Sequence, residues 1–179
     1  MARFEVVKGY ENQNVLLPQR KTQFSAGYDI AAAADVIVPS AWQLMEEAKE
    51  TWAVPNDNCI SLEQMSEFTK YTQYRPTLVP TGLKCYLEPD KYLQLSVRSS
   101  SPLKYWLMLA NGVGVIDADY YGNSDNDGHI MFQLYNLSPY NIKIQKGEII
   151  GQCIILPYSV TADDIAGGLR TGGFGSTNG

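Results

Sequence analysis

The C-terminal segment Arg170–Thr177 carries side chains suited to binding a phosphorylated ligand. Arg170 supplies a permanent positive charge, Ser176 and Thr177 supply hydroxyl groups, and the intervening glycines let backbone N–H groups approach phosphate oxygens. Phe174 offers a ring on which a base could stack. The segment is not a Walker loop, because no Gly-Lys-Ser follows a strand. A flexible glycine-rich terminus explains the same composition, and for this segment alone that interpretation is favoured.

Two internal segments carry further groups of this kind. Arg98 is followed by the hydroxyl residues Ser99–Ser101, which suits a phosphate group. Asp117 and Asp119 follow the apolar segment Asn111–Ile116, and a carboxylate at a strand end can act as a general base toward water. Each has a plainer explanation, a surface serine cluster in the first case and an Asp pair in a turn in the second. Neither segment alone identifies a function.

Other residue types limit the chemistry that is available. His129 is the single histidine, so a His-rich metal site is excluded and a Ser-His-Asp triad could use only this residue. A structural role is favoured for it. The three cysteines have neither paired nor metal-ligand spacing, which indicates free or buried thiols. The three tryptophans are interpreted as packing residues. Lys146–Gln152 and Ala26–Ile30 each suggest no more than a turn leading into a strand.

Length and composition favour one soluble domain. The chain has 179 residues, 45% of them apolar and 18% charged, which is typical of a globular protein. The net charge of −5 argues against a long nucleic-acid footprint, so no nucleic-acid partner is expected. No run approaches the roughly 18 apolar residues of a spanning helix, and the N-terminal residues are charged where a signal peptide is apolar. We therefore expect a cytoplasmic protein without a membrane partner.

Short apolar segments separated by turn residues predict a series of strands, which favours an all-β barrel or sandwich. The run Ala31–Ala34 has helical propensity but is too short to decide. The predicted strands cover residues 4–7, 77–79, 83–87, 93–97, 112–116, 130–135, 142–144 and 151–157.

Residues 40–74 have a different pattern, which predicts a hairpin of two packed helices. Ser40 and Ser61 each stand three residues before a glutamine, as in a capping box. Pro55–Asn58 marks a turn between the two segments. The apolar residues at helical spacing are Trp42, Met45, Ala48, Trp52, Leu62, Met65 and Phe68.

Taken together and in this order, five segments resemble the five motifs of the trimeric dUTP pyrophosphatase (dUTPase) family. They are Ala26–Ile30, Arg98–Ser100, Gly114–Gly122, Lys146–Gln152 and Arg170–Thr177. The resemblance covers residues 1–38 and 77–179. It implies a single mainly β domain over residues 1–179, with the distorted β-barrel or jelly-roll (β-clip) fold of that family. Residues 40–74 would then be an inserted helical hairpin, and residues 167–179 a flexible C-terminal arm.

The resemblance also implies an activity, the hydrolysis of dUTP to dUMP and pyrophosphate with Mg²⁺. This reaction limits uracil incorporation into DNA and supplies dUMP for dTMP synthesis. Asp117 matches the general base that deprotonates the attacking water. Mg²⁺ would be held by phosphate oxygens and waters, with no direct protein ligand, and Asp29 matches a carboxylate that reaches it through water. The residues that match substrate-binding groups are Arg98, Ser99, Ser100, Asn111, Gly112, Val113, Ile116, Tyr120, Gln152, Arg170, Phe174, Gly175, Ser176 and Thr177.

In the resembling family the active sites are shared between the subunits of a homotrimer, and the arm of one subunit closes over a site built by two others. Asn111 and the hairpin after it would select uracil. Tyr120 would lie against the deoxyribose, leaving no room for a 2′-hydroxyl, and Phe174 would stack on the base.

Two departures from the family pattern stand out. Gly151 precedes Gln152 where the family usually has Ala, a change expected to cost little, and Tyr121 replaces a frequent Arg or Gln. The helical insertion is compatible with a phage or bacterial member and offers a surface for a protein partner. Two alternatives remain open: a dCTP deaminase-like enzyme, which would use a Glu base and lack the glycine-rich tail, and a trimeric nucleotide-binding regulatory protein.

Overall fold

The computed structural model describes residues 1–52, 59–168, 170 and 172–173, and it confirms a mainly β fold. The helices are α1 (Ala41–Thr51), α2 (Leu62–Thr72) and α3 (Ser100–Tyr105), and a short 3₁₀ turn covers Ala118–Tyr120. The strands are β1 (Arg3–Val6), β2 (Tyr28–Ala31), β3 (Val36–Val38), β4 (Thr77–Pro80), β5 (Leu83–Tyr86), β6 (Lys91–Ser96), β7 (Leu107–Leu109), β8 (Gly114–Ile116), β9 (Met131–Asn136), β10 (Ile142–Ile144) and β11 (Ile149–Pro157).

The strands pair antiparallel in small sheets around one apolar core. One sheet has the order β2-β11-β6-β8, a second has the order β4-β9-β7, and β1–β5 and β3–β10 form pairs. In β9, buried and partly exposed residues alternate, as expected for a strand with one face on the core. The most deeply buried core side chains include Ile30, Val79, Leu83, Leu93, Leu95, Ile130, Phe132 and Leu134.

The register of β11 brings segments that are distant in sequence side by side. Gln152 pairs with Asp29 of β2 on one side and with Ser96 of β6 on the other. On the far edge of β6, Ile116 of β8 pairs with Leu93. The partners of Gln152 are more than fifty residues away in sequence, so long-range strand pairing decides which of the five motifs lie together.

Several local predictions need correction. Ala31 ends strand β2, so the alanine run is not a helix. Strand β8 begins at Gly114 rather than at residue 112, because Gly112 adopts a positive φ of 69° that turns the chain. Helix α3 and strand β7 were not predicted, since six and three residues are too few for a periodic pattern to emerge.

Two helices, α1 and α2, occupy the segment for which a helical hairpin was predicted. The capping box at Ser61 is confirmed: the Gln64 backbone N–H donates to Ser61 Oγ (3.2 Å), and the Ser61 N–H donates to Gln64 Oε1 (2.8 Å). The capping box at Ser40 is wrong. Its hydroxyl instead donates to the Ser138 carbonyl at 2.7 Å, which fastens the start of α1 to the β core. The predicted turn at Pro55–Asn58 lies outside the described residues.

The tryptophans differ in their packing. Trp52 packs edge-on against Phe68 of α2, with ring centroids 5.9 Å apart, as a packing role requires. Trp42 and Trp106 are 62% and 61% exposed, so neither packs in the core of this chain. Within the described residues, none of the helices has the length and apolar character needed to cross a membrane.

Candidate active site

A pocket of about 280 Å³, here called the cationic pocket, collects three of the five predicted motifs. Strand β2 contributes Asp29, the end of β6 leads into Arg98, and β11 contributes Gln152. These residues meet because β11 pairs with β2 on one side and β6 on the other. The residues that line the pocket are Lys21, Ser25, Gly27, Asp29, Arg98, Ser99 and Gln152.

The polar groups of the cationic pocket are only partly paired with one another. Arg98 Nε lies 3.8 Å from Asp29 Oδ1, and the Arg98 side chain is 45% exposed, so this ion pair leaves part of it accessible at the pocket. Asp29 Oδ2 is buried and has no hydrogen-bond partner. A buried carboxylate oxygen without a partner is costly, which indicates a place for a water or a ligand.

Gly27 leaves room for the side chain of Gln152. A Cβ atom at Gly27 would lie 2.3 Å from Gln152 Oε1, far inside contact distance. The glycine of the first motif therefore allows the amide of the fourth motif to cross into the pocket.

A second pocket, of about 200 Å³ and here called the hairpin pocket, lies beside the β7–β8 connection. Its walls combine apolar side chains and polar groups in similar measure, and Asn111 and Gln133 supply amides. Asn111 belongs to an exposed turn formed by the residues before Gly114. The residues that line it are Leu95, Leu109, Asn111, Gly114, Val115, Ile116, Tyr120, Met131, Gln133, Arg170 and Gly173. A slot that combines apolar side chains with a few amides suits a flat heterocyclic base.

Asp117 stands at the end of β8, where it begins the 3₁₀ turn, and it is paired with Arg170. The Arg170 Nη2 donates to Asp117 Oδ2 at 2.5 Å, and its Nε donates to Asp119 Oδ1 at 2.9 Å. The guanidinium also lies 5.7 Å from the centre of the Tyr120 ring. In this arrangement Asp117 is neutralised by a residue of its own chain.

Tyr120 forms part of the wall of the hairpin pocket, and its hydroxyl is bonded to the loop that follows. The hydroxyl donates to the His129 carbonyl at 3.0 Å and accepts from Asn126 Nδ2 at 2.8 Å. Burial, partly offset by the Asn126 hydrogen bond, raises the pKa of Tyr120, so the phenol stays neutral. The ring therefore presents carbon atoms to the pocket.

His129 has the structural role that was favoured from the sequence. Its buried Nε2 accepts a hydrogen bond from the Gly82 N–H at 2.9 Å, which requires the neutral imidazole. Burial lowers the pKa of His129, so this form is retained at neutral pH.

The structure divides the predicted site residues between two places. Arg98, Ser99, Gln152 and Asp29 line the cationic pocket, while Asn111, Ile116, Tyr120 and Arg170 line the hairpin pocket, with Asp117 at its edge. Ser100 faces a neighbouring groove that also contains Arg98. Gly112 and Val113 lie at the exposed turn, where Val113 is 45% exposed. Phe174, Gly175, Ser176 and Thr177 lie outside the described residues.

Sequence reasoning missed several residues that line these pockets. Lys21 and Ser25 belong to an irregular polar segment with no motif, so only the fold brings them to the cationic pocket. Met131 and Gln133 alternate along β9, and their period-2 pattern gave the only signal that one face of that strand could line a cavity. Among the described residues, no group of three or more His, Cys, Asp or Glu side chains could hold a metal.

The fold and the two pockets define a class of protein: a mainly β protein with one pocket lined by Lys21 and Arg98 and a second lined by apolar and amide side chains. The family model described as dUTPase matches residues 60–177. A deoxyuridine 5'-triphosphate nucleotidohydrolase of Lactococcus lactis is 37% identical over 97% of this chain and 95% of its own length. One from Oryza sativa is 29% identical over 93% and 76%. The chain belongs to the dUTPase family, which confirms the resemblance drawn from the five motifs.

Solved structures agree with this assignment. A dUTPase from Streptococcus mutans superposes with a TM-score of 0.66 at 31% identity, covering 88% of this chain and 97% of its own. A dUTPase from phage phi11 of S. aureus has the same fold, with a TM-score of 0.60 at 14% identity, covering 95% and 99%. That phage structure is described as coordinating a structural Mg(II) ion.

Proposed function

We propose that this protein hydrolyses dUTP to dUMP and pyrophosphate, at sites that are completed by neighbouring subunits of a homotrimer. Membership of the dUTPase family supports the reaction. The separation of the two pockets in one chain supports the sharing, and it is the observation that carries the proposal.

The separation follows from the strand register. Gln152 pairs with Ser96, whereas Ile116 pairs with Leu93. These two positions on β6 are three residues apart, about 10 Å at a rise of roughly 3.3 Å per residue. Arg98 and Asp117 lie beyond them in opposite directions along β6. The α-phosphate is attached directly to the nucleoside. The separation of Arg98 from Asp117 along β6 therefore supports a site in which these two groups come from different chains.

In the proposed reaction, Asp117 is the general base. It accepts a proton from the water that attacks the α-phosphorus, while the pyrophosphate leaves on the opposite side. One positioned base contributes roughly 10²–10⁴-fold to the rate. The larger remainder comes from holding and neutralising the triphosphate, for which Arg98, Ser99, Ser100 and Gln152 are the candidate groups.

The uracil and sugar would occupy the hairpin pocket. Asn111, with the backbone of Gly112 and Val113, would pair with the edge of the base, and Ile116 and Tyr120 would pack on the sugar. Buried hydrogen-bond groups left unpaired by cytosine would reject it strongly. Phe174, Gly175, Ser176 and Thr177 of a third subunit would cover the base and phosphates, and Arg170 would exchange Asp117 for a phosphate oxygen.

We infer that Mg²⁺ binds with the triphosphate. Asp29 is the residue that would hold it, through a water, because it lines the cationic pocket and its buried Oδ2 lacks a hydrogen-bond partner. When bound, the ion neutralises phosphate charge, and it prefers to keep several waters. Asp29→Asn should then raise the Mg²⁺ concentration needed for tight binding of a non-hydrolysable dUTP analogue, with little effect on the melting temperature.

The first experiment incubates the protein with dUTP, dCTP and UTP and measures pyrophosphate and ammonia. Pyrophosphate from dUTP alone agrees with the proposal. Ammonia from dCTP would assign a deaminase, and nucleotide binding without either product would assign a regulatory protein.

The second experiment tests the base. Asp117→Asn should bind dUTP but lose at least 10²-fold in kcat, because the amide can hold a water without taking its proton. Asp119→Asn is the matched control: it removes the other carboxylate that contacts Arg170 and should reduce kcat far less. Activity of Asp117→Asn within tenfold of the wild type would exclude this residue as the base.

The third experiment tests sharing. Asp117→Asn subunits are mixed with subunits truncated after Gly167, neither of which should be active alone. Mixed trimers should recover activity, because some sites then combine an intact Asp117 with an intact arm. An absence of recovery in demonstrated mixed trimers would mean that each arm serves its own subunit.

A further inference from the structure

The loop from Tyr121 to His129 closes tightly behind Tyr120 and is built around two asparagine side chains. Asn123 is 8% exposed; its Nδ2 donates to the Tyr120 carbonyl at 2.8 Å, and its Oδ1 accepts from the Asp125 and Asn126 N–H groups. This side chain therefore organises the loop from inside.

Asn126 connects the loop to the Tyr120 side chain. Its Oδ1 accepts from Asn123 Nδ2 at 2.9 Å and from the Gly128 N–H at 3.1 Å, which orients its Nδ2 toward the Tyr120 hydroxyl, 2.8 Å away. The same hydroxyl donates to the His129 carbonyl. The middle of the loop and its C-terminal end thus both hold the hydroxyl end of one tyrosine ring.

Other contacts prevent the loop from moving as a unit. Asp127 Oδ2 accepts from Lys84 Nζ at 2.8 Å and from the Lys8 N–H at 3.0 Å, which fastens the loop to β5 and to the end of β1. Gly128 has a φ of 82°, and a Cβ atom there would lie 2.7 Å from the Tyr120 carbonyl oxygen. The backbone of the loop is therefore packed directly against the residue that it holds.

From this geometry we propose that Asn126 is a positioning residue for sugar specificity, because it fixes the Tyr120 ring against the pocket. The inference rests on the proposed function and goes beyond it. A merely apolar wall rejects an added hydroxyl by only about 10²-fold, since the wall can yield or the hydroxyl can stay partly hydrated. A ring clamped at its hydroxyl cannot yield. Rejection of a 2′-hydroxyl therefore depends on the two hydrogen bonds that hold the Tyr120 hydroxyl as well as on the ring itself.

The test compares kcat/KM for dUTP and UTP in the wild type, Asn126→Ala, Tyr120→Phe and the double variant. Asn126→Ala should lower the dUTP/UTP ratio by at least about tenfold. Asp125→Asn, which changes the neighbouring side chain of the same loop, should leave that ratio within about twofold. The double variant should be no less selective than Tyr120→Phe, because Asn126 acts through the tyrosine hydroxyl.

A wild-type ratio in Asn126→Ala, or an additional loss in the double variant, would overturn the inference even if dUTP hydrolysis is demonstrated. A wild type inactive on dUTP would instead overturn the proposed function. In that case a crystal structure of ligand-free Asn126→Ala still decides the matter. The Tyr120 ring should be displaced or present in more than one position, and an unmoved, well-ordered ring would refute the positioning role.

Discussion

Gly151 and Phe132 should form a coupled pair in the core. Gly151 lies buried on β11, and an added Cβ atom would come within 2.2 Å of Phe132 Cε1 and 2.7 Å of the Ser96 carbonyl oxygen. Favourable carbon contacts lie at about 3.5–4.0 Å, so the ring would have to move by more than 1 Å. Phe132 is fully buried and has little space into which to move. The glycine that departs from the family pattern thus leaves space that this ring fills.

We therefore expect Gly151→Ala to lower the free energy of unfolding by about 1–3 kcal/mol, the usual range for an overpacked core. The upper half of that range is favoured, because the Ser96 carbonyl belongs to a paired backbone that cannot retreat. For a chain of this size each 1 kcal/mol lowers the melting temperature by roughly 2–4 °C. Calorimetry should then show a decrease of about 4–12 °C. The protein concentration must be kept fixed, since assembly makes melting concentration-dependent.

A double-mutant cycle distinguishes this contact from a general weakness of β11. Phe132→Leu alone leaves a cavity and destabilises the protein, but it removes the ring that the new methyl group would strike. The two changes together should cost at least 1 kcal/mol less than the sum of their separate effects. A melting temperature for Gly151→Ala within about 1 °C of the wild type, or strictly additive costs, would refute the reasoning.

Three further changes should give distinct results. Gly27→Ala should lower kcat/KM for dUTP by at least tenfold, because its methyl group displaces the Gln152 amide. The stability loss should stay below about 1 kcal/mol, since only the flexible end of that side chain has to move. Unchanged kinetics would contradict a role for the amide. Ser61→Ala should cost about 1 kcal/mol in unfolding experiments, since it removes a formed capping box, and a neutral result would show that α2 does not depend on its cap. Burial lowers the pKa of His129, so between the two pKa values the unfolded chain binds a proton that the folded chain does not. The free energy of unfolding should therefore decline as pH falls below about 6.5, and this decline should level off below the folded-state pKa. Titrations of stability between pH 7.5 and 5 should show this component in the wild type and not in His129→Gln, and identical profiles would rule it out.

The Arg170 contacts bear on how substrate would enter. Arg170, the arginine of the fifth motif, forms ion pairs with Asp117 and Asp119 of the same chain. Nearby Gly173 also lies close to Tyr120, since a Cβ atom added to it would be 2.7 Å from the tyrosine ring. Asp117 is 48% exposed, so water and salt weaken this pair. A triphosphate with several negative charges can therefore compete for Arg170 and leave Asp117 free for water.

Sequence alone determined the features that depend on local chemistry. Five short segments in a particular order were sufficient for the family, because each is weak alone but all five rarely occur together in that order. The second capping box and the helical spacing after it were also readable, since a helix start is decided by residues three or four apart. For the same reason most strands of the β region were placed within a few residues of their observed ends.

Only the tertiary structure decided which motifs meet. Strand register is a long-range property, and a shift of one residue would turn every side chain of β11 to the other face. It places Gln152 beside Asp29 and leaves Asp117 at the opposite end of β6. Lys21 enters the cationic pocket from a segment with no pattern, and Ser40 bonds to Ser138 instead of capping its helix. These contacts join residues far apart in the chain, so no local spacing could have predicted them.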